Sequence, residues 1–406
     1  MRNRHSLLVI FLLALFLGMP AVGLEAAVSV QCPADVDGID TDQDGIVDND
    51  NVCLHLTAGD GYIKMANGRD LYMFGFSDVT GMPEHMVMMA GMMGGEFPAP
   101  TIKLREGQQV YLTLTNVGML VRPDLFDPHT VHFHGFPNAA PIFDGMPDGS
   151  IAINMGSSLT YFYNLAEPGT YMYHCHVEAT EHMQMGMLGN LYVEAIQNML
   201  PDGTDLNGFT HQAGFKYAYN DGDGSTYYDQ DYILQLSSMD PAFHDASETV
   251  QPLPFALMKD TFAMFNGRGY PDTIKETDIV NMHGRASQKV SSLMTANQGE
   301  KVLLRLSSLS ISEFFTVSVL GIPATVVGKG ARLLRGPDPD GAGPLLGKNL
   351  YYRTNSVDLG GGEAFDLILD TTDVAPGTYF IYTTNLNYLS NDTEDLGGMM
   401  TEIIIY

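Results

Sequence analysis

Two short segments, HTVHFHG at residues 129–135 and YMYHCHVEATEHMQMGMLG at residues 171–189, constrain the fold more than any other feature of the chain. Together they hold six of its twelve histidines, His129, His132, His134, His174, His176 and His182, and Cys175 and Met187 fall in the second segment. Residues two apart share a face on an extended strand but not on a helix. Read as strands, the segments sort their donors by parity. His132 and His134 point one way and His129 the other; His174 and His176 point one way and the Cys175 thiol the other. One set is His129, Cys175, His182 and Met187, with the last two in the loop that follows the strand. The other is His132, His134, His174 and His176. Two imidazoles, a thiolate and a weak thioether are the donors of a blue-copper site. Four imidazoles on the opposite faces are ligands for further copper, back to back with the first. On this reading residues 171–189 join two metal sites.

Short apolar runs punctuated by Gly, Pro and Asn fill residues 57–197, among them QVYLTL at 109–114, 151–153, LTYFY at 159–163 and LGNLYV at 188–193. No long stretch has helical period, so the chain reads as all-β, a sandwich or barrel. From about residue 207 the pattern begins again. EKVLLRLSSL resembles GQQVYLTLTN, GTYFIYTTN resembles GTYMYHCH, and GGMMTEIIIY resembles MGMLGNLYV, in the same order. That is a repeat of a whole sandwich rather than a short solenoid unit. Residues 337–347 are a Gly/Pro/Asp-rich insertion in the second copy. A chain of 406 residues has room for two such cores.

The charge is lopsided, 48 acidic against 20 basic residues. This excludes a nucleic-acid footprint and favours cations, metal ions or basic redox partners. Arg2 and Arg4 precede a twelve-residue apolar run and then small residues, which reads as a signal peptide over 1–23 and an exported protein, periplasmic or extracellular. No later stretch is long and apolar enough to span a bilayer. Of three cysteines, Cys32 and Cys53 flank one short loop and can pair, leaving Cys175 free. Between them Asp40, Asp42, Asp44 and Asp48 alternate with spacers around Gly45, a pattern suited to calcium, and residues 24–56 resemble a single thrombospondin type 3 repeat. A loop at 82–93, MPEHMVMMAGMM, carries six methionines and His85; thioethers bind soft Cu(I), and methionines also fill irregular gaps. Asp127 and Asp144 stand beside the ligand segments, where they either orient histidines or form turns.

HTVHFHG and HCHVEATEHMQMGM, with the repeat, resemble the multicopper oxidases, specifically their two-domain group of laccase-like and nitrite-reductase-like proteins. The resemblance covers roughly residues 57–406. It implies two tandem cupredoxin-like Greek-key β-sandwiches, a copper-bearing one at 57–197 and a second at 207–406. It implies a type 1 copper on His129, Cys175, His182 and Met187 that accepts single electrons. Cys175, His174 and His176 would then relay them to type 2/type 3 copper on His132, His134, His174 and His176, where dioxygen is reduced. A phenol, Cu(I), Fe(II), Mn(II) or a cytochrome would be the reductant, and a homotrimer the assembly. The sequence departs from the family in its second copy. Family members that reduce dioxygen use eight cluster histidines, four normally from domain two. Here FTVSVLG stands for TVHFHG and YTTN for YHCH, with a one-residue offset open, and neither carries histidine. His211, His244 and His283 stand singly outside these segments. A non-enzymatic electron-transfer or copper-binding protein, or a nitrite reductase with a lone type 2 copper, are the alternatives.

Overall fold

The computed structural model describes Cys32 and residues 50–249, 252–336, 347–391 and 397–406. The expected signal peptide and the calcium-type residues Asp40, Asp42, Asp44 and Asp48 lie outside the described residues. The Cys32–Cys53 disulfide is formed and Cys175 is free and buried.

The first half is a pair of four-stranded sheets. One orders β2 (Asp70–Asp78), β1 (Asn51–Lys64), β4 (Gln109–Gly118) and β6 (Ser158–Asn164); the other orders β3 (Ala99–Arg105), β8 (Leu188–Glu194), β7 (Gly169–His174) and β5 (His132–His134). Apolar residues at alternate positions, such as Val110, Leu112 and Leu114 on β4 and Leu191 and Val193 on β8, meet between the sheets in one core with Phe74, Phe133, Tyr161 and Tyr171. The 151–153 run forms no strand; Ile153 makes an isolated bridge with His129, and its carbonyl accepts from the Asn116 side chain of β4.

The second half repeats the arrangement. Its strands are β9 (Gln230–Met239), β10 (Phe262–Phe265), β11 (Met294–Ala296), β12 (Lys301–Ser308), β13 (Phe315–Val319), β14 (Ala324–Lys329), β15 (Ser356–Leu359), β16 (Glu363–Asp370), β17 (Gly377–Thr383) and β18 (Met400–Ile405). One sheet runs β10-β9-β12-β16-β14 with two short strands at its edge, the other β11-β18-β17-β13-β15. β1 pairs parallel with β4, and β9 with β12; β3 pairs parallel with β8, and β11 with β18. The repeat read from three sequence matches is therefore a repeat of topology, with β14 and β15 added in the second copy.

The halves meet through an apolar seam containing Met65, Met73, Met172, Met239 and Met264, a use of methionine suited to irregular surfaces. Polar contacts cross it as well. Asp366 accepts from Thr170, Ser307 pairs with Asn190, and the buried Arg305 reaches Thr170, Asp231 and Asp366. The methionine-rich 82–93 stretch, expected as a loop, folds as a short helix, α1 (Glu84–Gly91), packed on β1 and β4. The residues from His85 to Ala90 are all able helix formers or neutral, and Pro83 stands just before the first turn, where a proline costs no hydrogen bond. Met82, Met86, Met89 and Met92 remain exposed on it.

Candidate metal centre

His129, Cys175 and His182 converge. Nδ1 of His182 lies 3.2 Å and Nδ1 of His129 3.8 Å from the Cys175 sulfur, and the three ligand atoms all lie within 4.8 Å of one another. His129 is held by two backbone hydrogen bonds with Ile153. His182 comes from α2 (Ala179–Gln184), a six-residue helix that folds the chain back on Cys175. The loop then locks: Met187 N–H donates to the His182 carbonyl at 2.8 Å, and Cys175 N–H to the Met187 carbonyl at 3.1 Å. Gly186 makes this turn with φ +116°, and a Cβ there would come within 2.9 Å of the Phe74 carbonyl oxygen. Met187 is buried in the same core cluster as Cys175.

The electrostatics suit a metal. Burial lowers the pKa of His182 to about 3 and that of His129 well below its ordinary value, so both imidazoles are neutral donors at pH 7. Burial pushes the Cys175 thiol up to about 11, opposed by the Thr130 N–H that donates to the sulfur. The sulfur is thus a thiol unless a cation binds beside it and displaces the proton. Nε2 of His129 and of His182 are buried with no hydrogen-bond partner, so no protein acceptor competes to turn the rings away. One soft sulfur, two imidazole nitrogens and a neighbouring thioether fit copper.

The other four histidines line a single pocket of about 470 Å³. His132, His134 and His174 bring ligand nitrogens within 4.8 Å of one another. The His176 ring centroid lies 5.1 Å from that of His132 and 5.5 Å from that of His174. β5 and β7 pair antiparallel with His132 opposite His174, which is what places both on one face. His132 Nδ1 lies 2.5 Å from the Asp144 carbonyl and 3.5 Å from its carboxylate, so Asp144 orients this ring and leaves Nε2 for a metal. Asp127 makes no such contact; its carbonyl accepts from Asn116. Burial lowers the pKa of His174 to about 3 and, with less force, those of His132 and His134. The far wall belongs to the second half, from Leu309, Ser310, Ile311, Glu313, Phe314, Gly361 and Gly362. Gly362 sits so close that a Cβ would be 2.8 Å from His134 Nε2. Nothing in the local sequence marks Glu313 or Gly362, because only the packing of the two halves brings them here.

The register settles the open offset in the second half. Ser318 lies opposite Tyr382 on β13 and β17, as His132 lies opposite His174. Thr383 N–H donates to the Met399 carbonyl, as Cys175 N–H does to that of Met187. Thr383 therefore matches Cys175, and Tyr382 and Thr384 match His174 and His176, one residue from the simple alignment of YTTN with YHCH. Ser318 and Leu320 match His132 and His134. The remaining described histidines lie elsewhere. His211 is buried against Tyr217, His244 sits between the Tyr72 and Gln184 carbonyls, and His283 packs on Tyr62. A three-copper cluster of eight imidazoles does not fit this chain. A second copy presenting the same second half would add none at these positions. Four imidazoles do fit one or two copper ions.

Family models described as multicopper oxidase match residues 78–198 and 243–406. The iron transport multicopper oxidase fetC of Epichloe festucae is 29% identical over 164 residues, 39% of this chain and 20% of that protein. The L-ascorbate oxidase of Cucumis sativus is 34% identical over 129 residues, 30% of this chain and 19% of that protein. These matches span about a fifth of the length of either relative. Among solved structures, the blue copper oxidase from Nitrosomonas europaea superposes with a TM-score of 0.61 at 22% identity, covering 87% of this chain and 86% of that one. The copper nitrite reductase from Nitrosomonas europaea superposes with a TM-score of 0.54 at 18% identity, covering 88% of this chain and 94% of that one. Both share the fold.

Proposed function

The chain belongs to the multicopper oxidase family, and from that premise we propose that it is an exported copper oxidoreductase. It takes single electrons from a small reductant at His129, Cys175, His182 and Met187. His132, His134, His174 and His176 would hold further copper, which would supply the site where those electrons reach dioxygen as the final acceptor. The observation that carries this reading is the adjacency of Cys175 to both His174 and His176. One thiol and its two chain neighbours belong to two donor sets, so the electron path between the sets is covalent. Copper supplies the one-electron couple at the first set and a site for dioxygen at the second.

The residues do the rest. Burial keeps water from the thiolate side and keeps its imidazoles neutral. The helix turn through His182 and the Met187 loop hold the donors in place before metal arrives, so little reorganisation accompanies a change of charge. Asp144 fixes the His132 ring. Among the charged residues around the pocket, Glu313 lines it directly and is positioned to carry protons toward an oxygen acceptor. No helix among the described residues is long and apolar enough to cross a membrane, and the basic-apolar-small pattern of residues 1–23 supports export. Low-valent metal ions are the reductants that the acidic surface and exposed methionines favour, with a phenol or a cytochrome as the alternatives.

Copper content and EPR of the mature protein test the reading. Expected are one type 1 signal, at least one further copper per chain, and oxygen uptake with a one-electron reductant. The serine, leucine, tyrosine and threonine in the second half favour a second reading, an electron carrier without turnover. One copper per chain, all of it type 1, with no oxygen uptake would establish that reading and overturn the first.

A further inference from the structure

The four residues assigned to the type 1 site, His129, Cys175, His182 and Met187, are all 0% exposed. No ligand edge meets a reductant, so an electron must cross protein to reach them. One continuous line of rings leads outward. The Phe74 ring centroid lies 5.8 Å from that of His182, edge-on; Tyr72 lies 5.7 Å from Phe74, Tyr62 5.6 Å from Tyr72, and His283 5.0 Å from Tyr62. Tyr62 is half-buried and His283 exposed. The line follows from the sheet. Tyr62 on β1 lies directly opposite Tyr72 on β2, and Phe74 follows two residues on, on the same face.

Each tyrosine has its own carboxylate. The Tyr62 hydroxyl donates to Glu248 at 2.6 Å, and the Tyr72 hydroxyl to Asp60 at 3.0 Å. Asp60 is fully buried, and its other oxygen, Oδ1, has no hydrogen-bond partner. A phenol gives up an electron far more readily when its proton has somewhere to go, and the Asp60 carboxylate that already accepts the Tyr72 hydrogen bond is such a place. The same oxygen, Oδ2, accepts from the Val121 N–H at 2.8 Å, which fixes the carboxylate against the tyrosine.

We propose that His283, Tyr62, Tyr72 and Phe74 form the path by which single electrons travel between the surface and His182, with Glu248 and Asp60 as the proton partners of the two tyrosines. The proposal rests on the type 1 assignment above. A one-electron reductant at the surface, a phenol or a low-valent metal ion, loses one electron. Tyr72 passes one electron inward through Phe74, and its phenolic proton shifts to Asp60. Tyr62 refills Tyr72, which takes its proton back, while the Tyr62 proton shifts to Glu248. The reductant refills Tyr62, whose proton returns. The net change is one electron lost by the reductant and one gained at the buried site, with no proton left on the chain. Tyr62 and Tyr72 are positioning and relay residues, and touch neither ligand atom.

Stopped-flow reduction of the blue absorption tests this on the full copper-loaded chain, in Tyr72→Phe, Tyr72→Leu and Tyr62→Phe. Tyr72→Phe is expected to slow bleaching about tenfold, and Tyr72→Leu, which removes the ring, further. The blue spectrum and copper content stay as in the parent. A second readout needs no metal. Flash oxidation of the copper-free protein by a photo-oxidant in solution is expected to give a tyrosyl EPR signal whose long-lived component, from the buried pair rather than from exposed tyrosines such as Tyr352 and Tyr406, is lost in the Tyr62→Phe/Tyr72→Phe double variant. Asp60→Asn, which keeps the size but removes the proton acceptor, is expected to slow bleaching with the spectrum intact. Parent-like bleaching in both Tyr72 variants, or an unchanged radical signal in the double variant, overturns the path. A parent protein loaded with copper but without blue absorption would instead overturn the type 1 assignment, which keeps the two failures distinct.

Discussion

The two halves of the chain share eight strands in the same order, to which the second adds β14 and β15, yet they carry opposite chemistry. On β5, β7 and the residues after them, the first half presents His132, His134, His174, Cys175 and His176. At the matching positions the second half presents Ser318, Leu320, Tyr382, Thr383 and Thr384. The backbone is indifferent to the exchange: Cys175 and Thr383 each donate to the carbonyl of a buried methionine at 3.1 Å. The sandwich is held by its alternating apolar faces, so donor residues can be added or removed without disturbing it, and function resides in the site rather than the fold. The second half has spent its freedom differently. Thr113 of β4 corresponds to Arg305 of β12, and that arginine, held by Asp231 and Asp366 of its own half, reaches across to Thr170 and the Tyr192 ring of the first.

Substitutions at matched positions break or sharpen this contrast. Cys175→Ser is expected to abolish the blue absorption completely, because oxygen does not replace thiolate in a His2Cys site, whereas Thr383→Ser leaves the spectrum unchanged; absorption spectra of the copper-loaded proteins decide. Paired removal of His134 and His174 to Ala is expected to strip the pocket copper while the type 1 signal persists, read by metal analysis and EPR. Loss of both signals together would show that the two donor sets are not separable. Arg305→Ala leaves buried Asp366 without its cation, with only the Thr170 and Tyr219 hydroxyls to hold it, and is expected to destabilise the chain by about 3–5 kcal/mol, measured by denaturant unfolding.

Protons should act mainly on the first half. The folded-state pKa values of His174 and His182 are lowered from 6.5 to about 3. Between those values the unfolded chain binds protons that the folded chain does not, so the copper-free protein loses stability as pH falls from about 6.5 toward 3, and gains nothing from these groups above 6.5. Melting temperature against pH, with and without copper, reads this directly; bound copper should deepen the acid dependence, since protons and metal compete for the same nitrogens. The smallest effect is expected at Thr384→Ala. Its side chain is exposed, and the change should stay within about 0.5 kcal/mol, although its first-half counterpart is a pocket histidine.

Much of this was legible in the sequence because strand parity is a local property. HTVHFHG and HCH needed only the two-residue period to divide their donors, and in the structure His132 lies opposite His174. The three repeat matches fall on β4 with β12, β7 with β17 and β8 with β18. What was not legible depends on register between strands or on contacts between halves. The one-residue offset at Tyr382 is set by hydrogen bonds across β13 and β17. The helix at 84–91 escaped because eight residues give too little period to read against so many methionines. Glu313 and Gly362 reach the pocket only through the packing of the halves, and Tyr62 meets Tyr72 only through the register of β1 on β2.

One further pocket residue bears on how long such a molecule would last. Met183 lines the cavity beside the four histidines, and thioethers are oxidised to chiral, polar sulfoxides. If the pocket reduces dioxygen as proposed, any oxygen species that escapes full reduction there meets that sulfur at close quarters. The protein's working life would then be recorded as single oxygen atoms accumulating on Met183, one residue from ligand His182, so that ageing begins at the loop that holds the site together.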